Sequence, residues 1–252
     1  MSIRAISLDV GWTLAFPRAS IWEIFGELCT AAGSVAAPQA CERLVRALWA
    51  HGQEHAERTF HGGASYSDSD EEFAAVFAQM AQLIFAHFGV ADGQDDLIRR
   101  FLERFWSEAN WCVFPDVMTV LAELKRRGLR LGVLSNAPSN LPIFLQHLGI
   151  APFLDFTVVS AVERMKKPDR RIFATATQRA GVAPHEILHV GDMYLEDILG
   201  GQAAGLRTLL IERHPHALFP HHRDSEVRDI DPSLVITDLR QVLAQLDAEA
   251  AD

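Results

Sequence analysis

Five side chains in this sequence could together handle phosphate: the carboxylate of Asp9, the hydroxyl of Ser135, the ammonium of Lys167, and the carboxylates of Asp192 and Asp197. Carboxylates are weak nucleophiles and a phosphate dianion repels them. Displacement at phosphorus therefore needs the nucleophile held in line and the charge offset by cations. Asp9 is the candidate nucleophile, forming an aspartyl-phosphate that water then cleaves. Ser135 and the backbone N–H of Asn136 are candidates for holding a phosphoryl oxygen, and Thr13 can donate from the turn after Asp9. Lys167 can orient Asp9 and balance the transferring group. Asp192, with Asp197 about one helical turn beyond, suits oxygen ligation of Mg²⁺. A serine at a strand end or a Lys-Pro pair, met alone, has an ordinary structural reading. Their order along the chain is what points to chemistry.

Strands must bring these groups to one place. Ala5-Ile6-Ser7-Leu8 is a short apolar run that stops at Asp9, Gly11 and Thr13, the pattern of a buried strand. An aspartate at the C-terminal end of a parallel strand points into the crevice where open α/β sheets bind ligands. Further strands are expected at Leu129 to Leu134, Phe156 to Val159, Ile187 to Val190 and Thr208 to Ile211, with Val235-Ile236 one more. Helices are expected over about 117–127 (closed by Gly128), 141–148, 170–180 and 197–204. This alternation implies an α/β fold: a Rossmann-like parallel sheet with helices on both faces.

Between Phe16 and Phe114 the pattern is helical, with Phe16-Pro17 leading into it. Ser20 can cap a helix through Ala32. Others are expected over about 38–58, from the acidic run Asp68–Glu72 onward, and over about 95–108. Trp22, Trp49 and Trp106 read as core of this small bundle. The expected organisation is a core of 1–16 and 114–252 with an inserted helical-bundle cap domain, 17–113. The C-terminus reads as an Ala-rich, acidic tail.

Of the 252 residues 49% are hydrophobic, ample for a core, and the net charge of −10 argues against nucleic acid or an anionic membrane as main partner. No apolar run approaches the roughly 20 residues of a membrane span, and the N-terminus lacks a basic region followed by a long apolar one. A cytoplasmic monomer or homodimer is expected. Cys29, Cys41 and Cys112 are scattered without metal-ligand spacing. His214, His216, His221 and His222 surround Pro215 and Pro220 in what reads as an exposed loop rather than a metal site.

Arg127-Gly128-Leu129-Arg130-Leu131-Gly132-Val133-Leu134-Ser135-Asn136, Lys167-Pro168-Asp169-Arg170-Arg171-Ile172-Phe173 and Val190-Gly191-Asp192-Met193-Tyr194-Leu195-Glu196-Asp197 resemble motifs of the haloacid dehalogenase (HAD) superfamily of hydrolases. The resemblance covers nearly the whole chain and is to members with a helical C1-type cap inserted after the first motif. It implies catalytic roles for Asp9 and Lys167, and substrate binding by Thr13, Ser135 and Asn136. It also implies a Mg²⁺ site of Asp9, the Gly11 carbonyl and Asp192, with Asp197 in support. The implied substrate is a small phosphorylated molecule chosen by the cap.

One position departs from the pattern. Family phosphatases carry a second aspartate two residues after the nucleophile, as general acid and base; here that residue is Gly11, followed by Trp12 where a small residue is usual. General acid–base help is worth roughly 10²–10⁴-fold, so alkyl phosphate hydrolysis is expected to be weak and good leaving groups preferred. Two other readings stand beside the phosphatase. One is a non-catalytic module that binds a phosphorylated ligand or a partner protein. The other is a metal-independent 2-haloacid dehalogenase, a class that also lacks the second aspartate but whose last motif does not resemble Asp192 and Asp197. A cap lysine forming a Schiff base, as in phosphonate-cleaving members, is excluded because the first lysine is Lys125, beyond the insert.

Overall fold

β1 (Ala5–Leu8) is buried along its whole length, as befits a strand with neighbours on both edges and helices on both faces. In the computed structural model, which describes residues 2–48, 68–213 and 230–251, it pairs in parallel with β4 (Arg130–Ser135) and β6 (Ile187–Gly191). β5 (Phe156–Val159) lies beyond β4, while β7 (Arg207–Ile211) and β8 (Val235–Ile236) lie beyond β6. The order β5-β4-β1-β6-β7-β8 is parallel throughout. The chain builds outward from β1 on one side, then crosses it to build the other, so the winding reverses at β1. Open α/β sheets bind ligands outside the strand C-termini at such a reversal. Asp9, Ser135 and Asp192 all stand at the C-terminal ends of strands around this point.

Alternation along the strands sorts their side chains into two layers. Ile6, Leu8, Leu131, Val133, Leu188 and Val190 pack against α5 (Val117–Arg126), α6 (Leu141–His147) and α10 (Arg240–Ala251). Ala5, Leu134 and Ile187 pack on the opposite face against Ile172, Phe173 and Ala176 of α8 (Arg170–Ala180), which follows the single turn α7 (Ser160–Glu163). Each large apolar side chain so buried contributes about 1.5–3 kcal/mol.

Three segments differ from the sequence expectation. The Ala-rich tail is helix α10, whose Val242, Leu243 and Leu246 join the core; alanine is the strongest helix former, and three apolar residues suffice to dock it. Phe16-Pro17 belongs to a strand, β2 (Ala15–Pro17), paired with β3 (Trp111–Val113), both too short to leave a period-two pattern. The helix expected from Asp197 begins earlier, as a wide π turn over Tyr194–Leu199 that runs into α9 (Gly200–Ala203). There the Gly200 N–H reaches back to the Leu195 carbonyl.

The chain divides into two units. Met1–Phe16, Ser67–Ser69 and Val113–Asp252 form the unit that holds the sheet; the described residues of the other, Pro17–Tyr66 and Asp70–Cys112, are mainly helical. In the second, Ser20 and Glu23 form a reciprocal cap on α1 (Ile21–Ala31): the Ser20 N–H donates to Glu23 Oε2 at 2.7 Å and the Glu23 N–H to Ser20 Oγ at 3.2 Å. A helix over 38–48 follows as α2, then α3 (Asp70–His87) and α4 (Gln94–Phe105). Around Phe25, Phe101 stacks at 4.2 Å between ring centroids and Phe85 meets it edge-on at 5.5 Å. Trp22 is half-buried beneath the Arg46 guanidinium, and Trp106 stacks on Trp111. Trp49, the remainder of the expected 38–58 helix and the four histidines His214, His216, His221 and His222 lie outside the described residues. Among the described residues no helix is long and apolar enough to cross a membrane.

Candidate active site

Asp9 follows β1 and is 7% exposed; its own N–H donates to the Val190 carbonyl on β6, which pins the end of the strand. The Lys167 ammonium, 1% exposed, donates to Asp9 Oδ1 at 2.8 Å and to Asp197 Oδ1 at 2.5 Å. Candidate oxygens of Asp9, Asp192 and Asp197 lie within 4.8 Å of one another. The structure thus gathers three carboxylates around one ammonium at the C-terminal ends of β1 and β6.

Burial raises the Asp9 carboxyl above its ordinary value; Lys167 opposes this, Asp197 adds to it, and hydrogen bonds from Lys167 and Ser135 hold it down. Asp192 is raised further, by burial first and then by the charges of Asp9 and Asp197. Asp197 goes the other way: burial would raise it, but Lys167 and His189 outweigh that and hold it below the usual range. Burial alone would lower the Lys167 ammonium, yet Asp197 and Asp9 keep it protonated. Two carboxylates that resist ionisation together, with oxygens already converging, form the donor set a hard divalent cation stabilises. Asp9 and Asp192 fit such an ion, whereas both oxygens of Asp197 are already engaged.

Those engagements show how the lysine is aimed. Asp197 Oδ2 accepts the Met193 N–H at 2.9 Å, and Oδ1 faces His189 Nε2 at 3.0 Å as well as Lys167. His189 Nδ1 in turn lies 3.0 Å from Ser7 Oγ, its register partner on β1. Ser7 and His189 are fully buried, and His189 stands edge-on to Phe173 of α8. The ring sits directly beneath Asp197 because Gly191 leaves the space: a Cβ there would come within 2.1 Å of Asp197 Cγ. From the other side, Asn136 clamps the lysine backbone. Its Oδ1 accepts the Lys167 N–H at 2.8 Å and its Nδ2 donates to the Lys167 carbonyl at 3.0 Å, with Glu196 Oε2 also within reach at 3.2 Å.

The turn after Asp9 is held tightly. The Leu14 and Ala15 N–H groups both donate to the Val10 carbonyl, and the Trp12 N–H donates to the Ala15 carbonyl. Trp12 adopts φ +50°, a left-handed conformation costing a bulky residue about 1–2 kcal/mol. Arg213 secures the same turn, donating to the Thr13 carbonyl through Nε (3.2 Å) and Nη2 (2.7 Å) and to both Asp116 oxygens through Nη1 (2.8 Å). The Leu239 N–H completes Asp116, and the guanidinium lies over the Phe114 ring. The Thr13 hydroxyl is buried with no partner among the described residues, a donor left for something else to use. A Cβ at Gly11 would meet nothing within 4 Å.

Ser7, His189, Asp116 and Arg213 were not singled out by their spacing. Ser7 and His189 leave a trace, as polar residues inside strands that otherwise read apolar, each two positions before a motif residue (Asp9 and Gly191). Arg213 leaves none, since its partner Thr13 is 200 residues away.

Comparison with known proteins identifies the family. A family model described as a haloacid dehalogenase-like hydrolase matches residues 14–205. The chain is 31% identical to human haloacid dehalogenase-like hydrolase domain-containing protein 3 over 93% of this chain and 92% of the human one. It is 33% identical to phosphoserine phosphatase of Thermus thermophilus over 60% of this chain and 59% of that protein. Among solved structures, a HAD-hydrolase of Bacillus subtilis bound to magnesium superposes with a TM-score of 0.68 at 21% identity, covering 98% of this chain and 99% of that one. The L-2-haloacid dehalogenase RSc1362 does so with 0.68 at 22%, covering 98% and 100%. Likeness at this level speaks for the fold; phosphorus and carbon chemistry share it.

Proposed function

The chain belongs to the haloacid dehalogenase-like hydrolase family, and on that premise we propose that it is a magnesium-dependent phosphohydrolase of small molecules, acting through an aspartyl-phosphate on Asp9. The observation that carries this reading is one buried ammonium serving two carboxylates, with a third beside them. Metal-independent displacement of halide at carbon has no use for a metal ligand at Asp192, so its retention favours phosphorus. The similarity to a phosphoserine phosphatase points the same way.

Asp9, the Gly11 carbonyl and Asp192 would hold the Mg²⁺, which supplies positive charge beside the transferring phosphoryl group. An Asp9 oxygen attacks phosphorus, the bond from phosphorus to the leaving oxygen breaks, and Lys167 keeps the nucleophile ionised and aimed. The Ser135 and Thr13 hydroxyls and the Asn136 N–H donate to the phosphoryl oxygens. Water then attacks phosphorus and the bond to Asp9 breaks; the water's proton passes to a phosphoryl oxygen or to solvent, and inorganic phosphate departs. Gly11 neither protonates the first leaving group nor accepts that proton. The first step therefore suits groups that leave as stable anions, such as aryl and acyl phosphates. The second expels the Asp9 carboxylate, which needs no proton to leave.

The test is phosphate release with Mg²⁺ from aryl, acyl and alkyl phosphates, comparing wild type with Asp9→Asn and with EDTA-treated protein. Turnover that Asp9→Asn and EDTA each abolish, and that favours good leaving groups, is expected. Gly11 also motivates a non-catalytic reading; binding of Mg²⁺ and phosphate by wild type without release from any substrate would establish it instead.

A further inference from the structure

The helical unit contains a cavity of about 550 Å³ whose lining includes Arg18, Leu28, Arg100, Glu103, Arg104 and Asn110. That volume is in the range of small-molecule sites. It shares no residue with the Asp9 cluster.

Charge on α4 is sorted around this cavity. Arg99 takes both nearby helix acids, Asp96 Oδ1 at 2.5 Å and Glu103 Oε1 at 2.8 Å. Arg100 is thereby left with no hydrogen-bond or ion-pair partner for its side chain among the described residues, and the same is true of Arg18. Arg104 pairs with Glu27 through one nitrogen, in a contact where the two side chains are 42% and 61% exposed, and such pairs contribute little. Arg100 and Arg104 are four residues apart on one helix, a spacing at which like charges repel, and Arg18 brings a third cation to the same wall. In a chain of net charge −10 this local excess of positive charge is not a general surface property.

The rim is also well tied down. The Arg18 N–H donates to the Asn110 carbonyl at 2.5 Å, and the Ala19 N–H to Asn110 Oδ1 at 2.9 Å. Asn110 Nδ2 donates at 3.3 Å both to the Ala19 carbonyl and to that of Phe105, at the end of α4. These bonds join the segment carrying Arg18 to the helix carrying Arg100 and Arg104, so the cations are presented on a pre-organised frame.

We propose that this cavity is a second binding site, for a small organic anion whose phosphate or carboxylate group is held by the Arg18 and Arg100 guanidiniums. Guanidinium forks match the oxygens of both groups, and Leu28 offers apolar surface to a carbon skeleton.

The experiment is a titration of full-length protein, stripped of metal with EDTA and then dialysed free of the chelator, at low salt, with pyrophosphate in one arm and citrate in the other. Binding is read at the site itself, from the Nε–Hε NMR resonances of Arg18 and Arg100, assigned by single substitutions. Saturable shifts of both resonances in at least one arm are expected, phosphate or carboxylate preference being set by which probe saturates. Arg18→Gln/Arg100→Gln, a substitution of exposed residues whose unchanged thermal midpoint certifies folding, should weaken binding at the cavity about tenfold or more as read from the Arg104 resonance. Added salt should weaken it in the wild type. Shifts that fail to saturate up to 10 mM of either probe (an upper limit of about 10⁻² M on affinity), or equal affinity in the double variant, overturn the proposal.

Discussion

Restoring a carboxyl at position 11 tests the catalytic reading most directly. A Cβ built on Gly11 meets no atom within 4 Å, and the Gly11 backbone does not adopt a positive φ. Gly11→Asp therefore carries no steric penalty at Cβ and no left-handed strain. The new carboxyl would join a turn beside Asp9, where burial and neighbouring carboxylates already raise Asp9 and Asp192. The same influences favour its protonated form, the form a general acid needs. Such an acid is worth roughly 10²–10⁴-fold, or about 3–5 kcal/mol of barrier. The gain is confined to substrates whose leaving oxygen needs a proton. The assay is kcat/KM with Mg²⁺ over a series of aryl and alkyl phosphates of rising leaving-group pKa, for wild type, Gly11→Asp and Asp9→Asn/Gly11→Asp. Wild-type rates should fall steeply along the series, the single variant should flatten the slope by raising the alkyl end, and the double variant should be inactive. Equal slopes in wild type and a folded Gly11→Asp, or a wild type indifferent to leaving group, would refute the argument that Gly11 removes the proton donor.

Three further outcomes follow from the cluster. Lys167→Met leaves Asp9 and Asp197 buried without their cation, so it should cost about 3–5 kcal/mol of stability, read by urea unfolding, and abolish phosphate release. His189→Phe removes one of the two partners of Asp197 Oδ1, leaving Lys167, while keeping a ring against Phe173. Losing a hydrogen bond to a charged group, about 1.5–3 kcal/mol, should lower kcat about 10–100-fold with KM little changed; a matching rise in KM would show that aiming Lys167 is not what His189 does. Asp192→Asn removes one of three crowded carboxylates, so in EDTA its thermal midpoint should exceed that of wild type, while Mg²⁺ should raise the midpoint of wild type only. A magnesium-induced rise that survives in Asp192→Asn would place the ion elsewhere.

Alternating apolar runs and helical periods were sufficient for the α/β class and the parallel sheet, because strand burial and helix amphipathicity are written within a dozen residues. The chemical types at the strand ends were equally local: Asp9 after Leu8, Ser135 after Leu134, Asp192 after Gly191. Gly11 too was visible as a missing acid without any structure. Elements lacking a local period escaped, among them the three-residue strands β2 and β3 and the π turn that carries Asp197.

What packing alone decided is who meets whom. Lys167 reaches Asp9 across 158 residues, His189 reaches Ser7 across 182, and Arg213 reaches Thr13 across 200. None of these separations leaves a periodic trace. Sheet register sets Ser7 opposite His189, and the bare Gly191 admits Asp197 above that ring. The ionisation of each carboxylate followed only then, since burial and charge distance are properties of the folded chain and not of the residue.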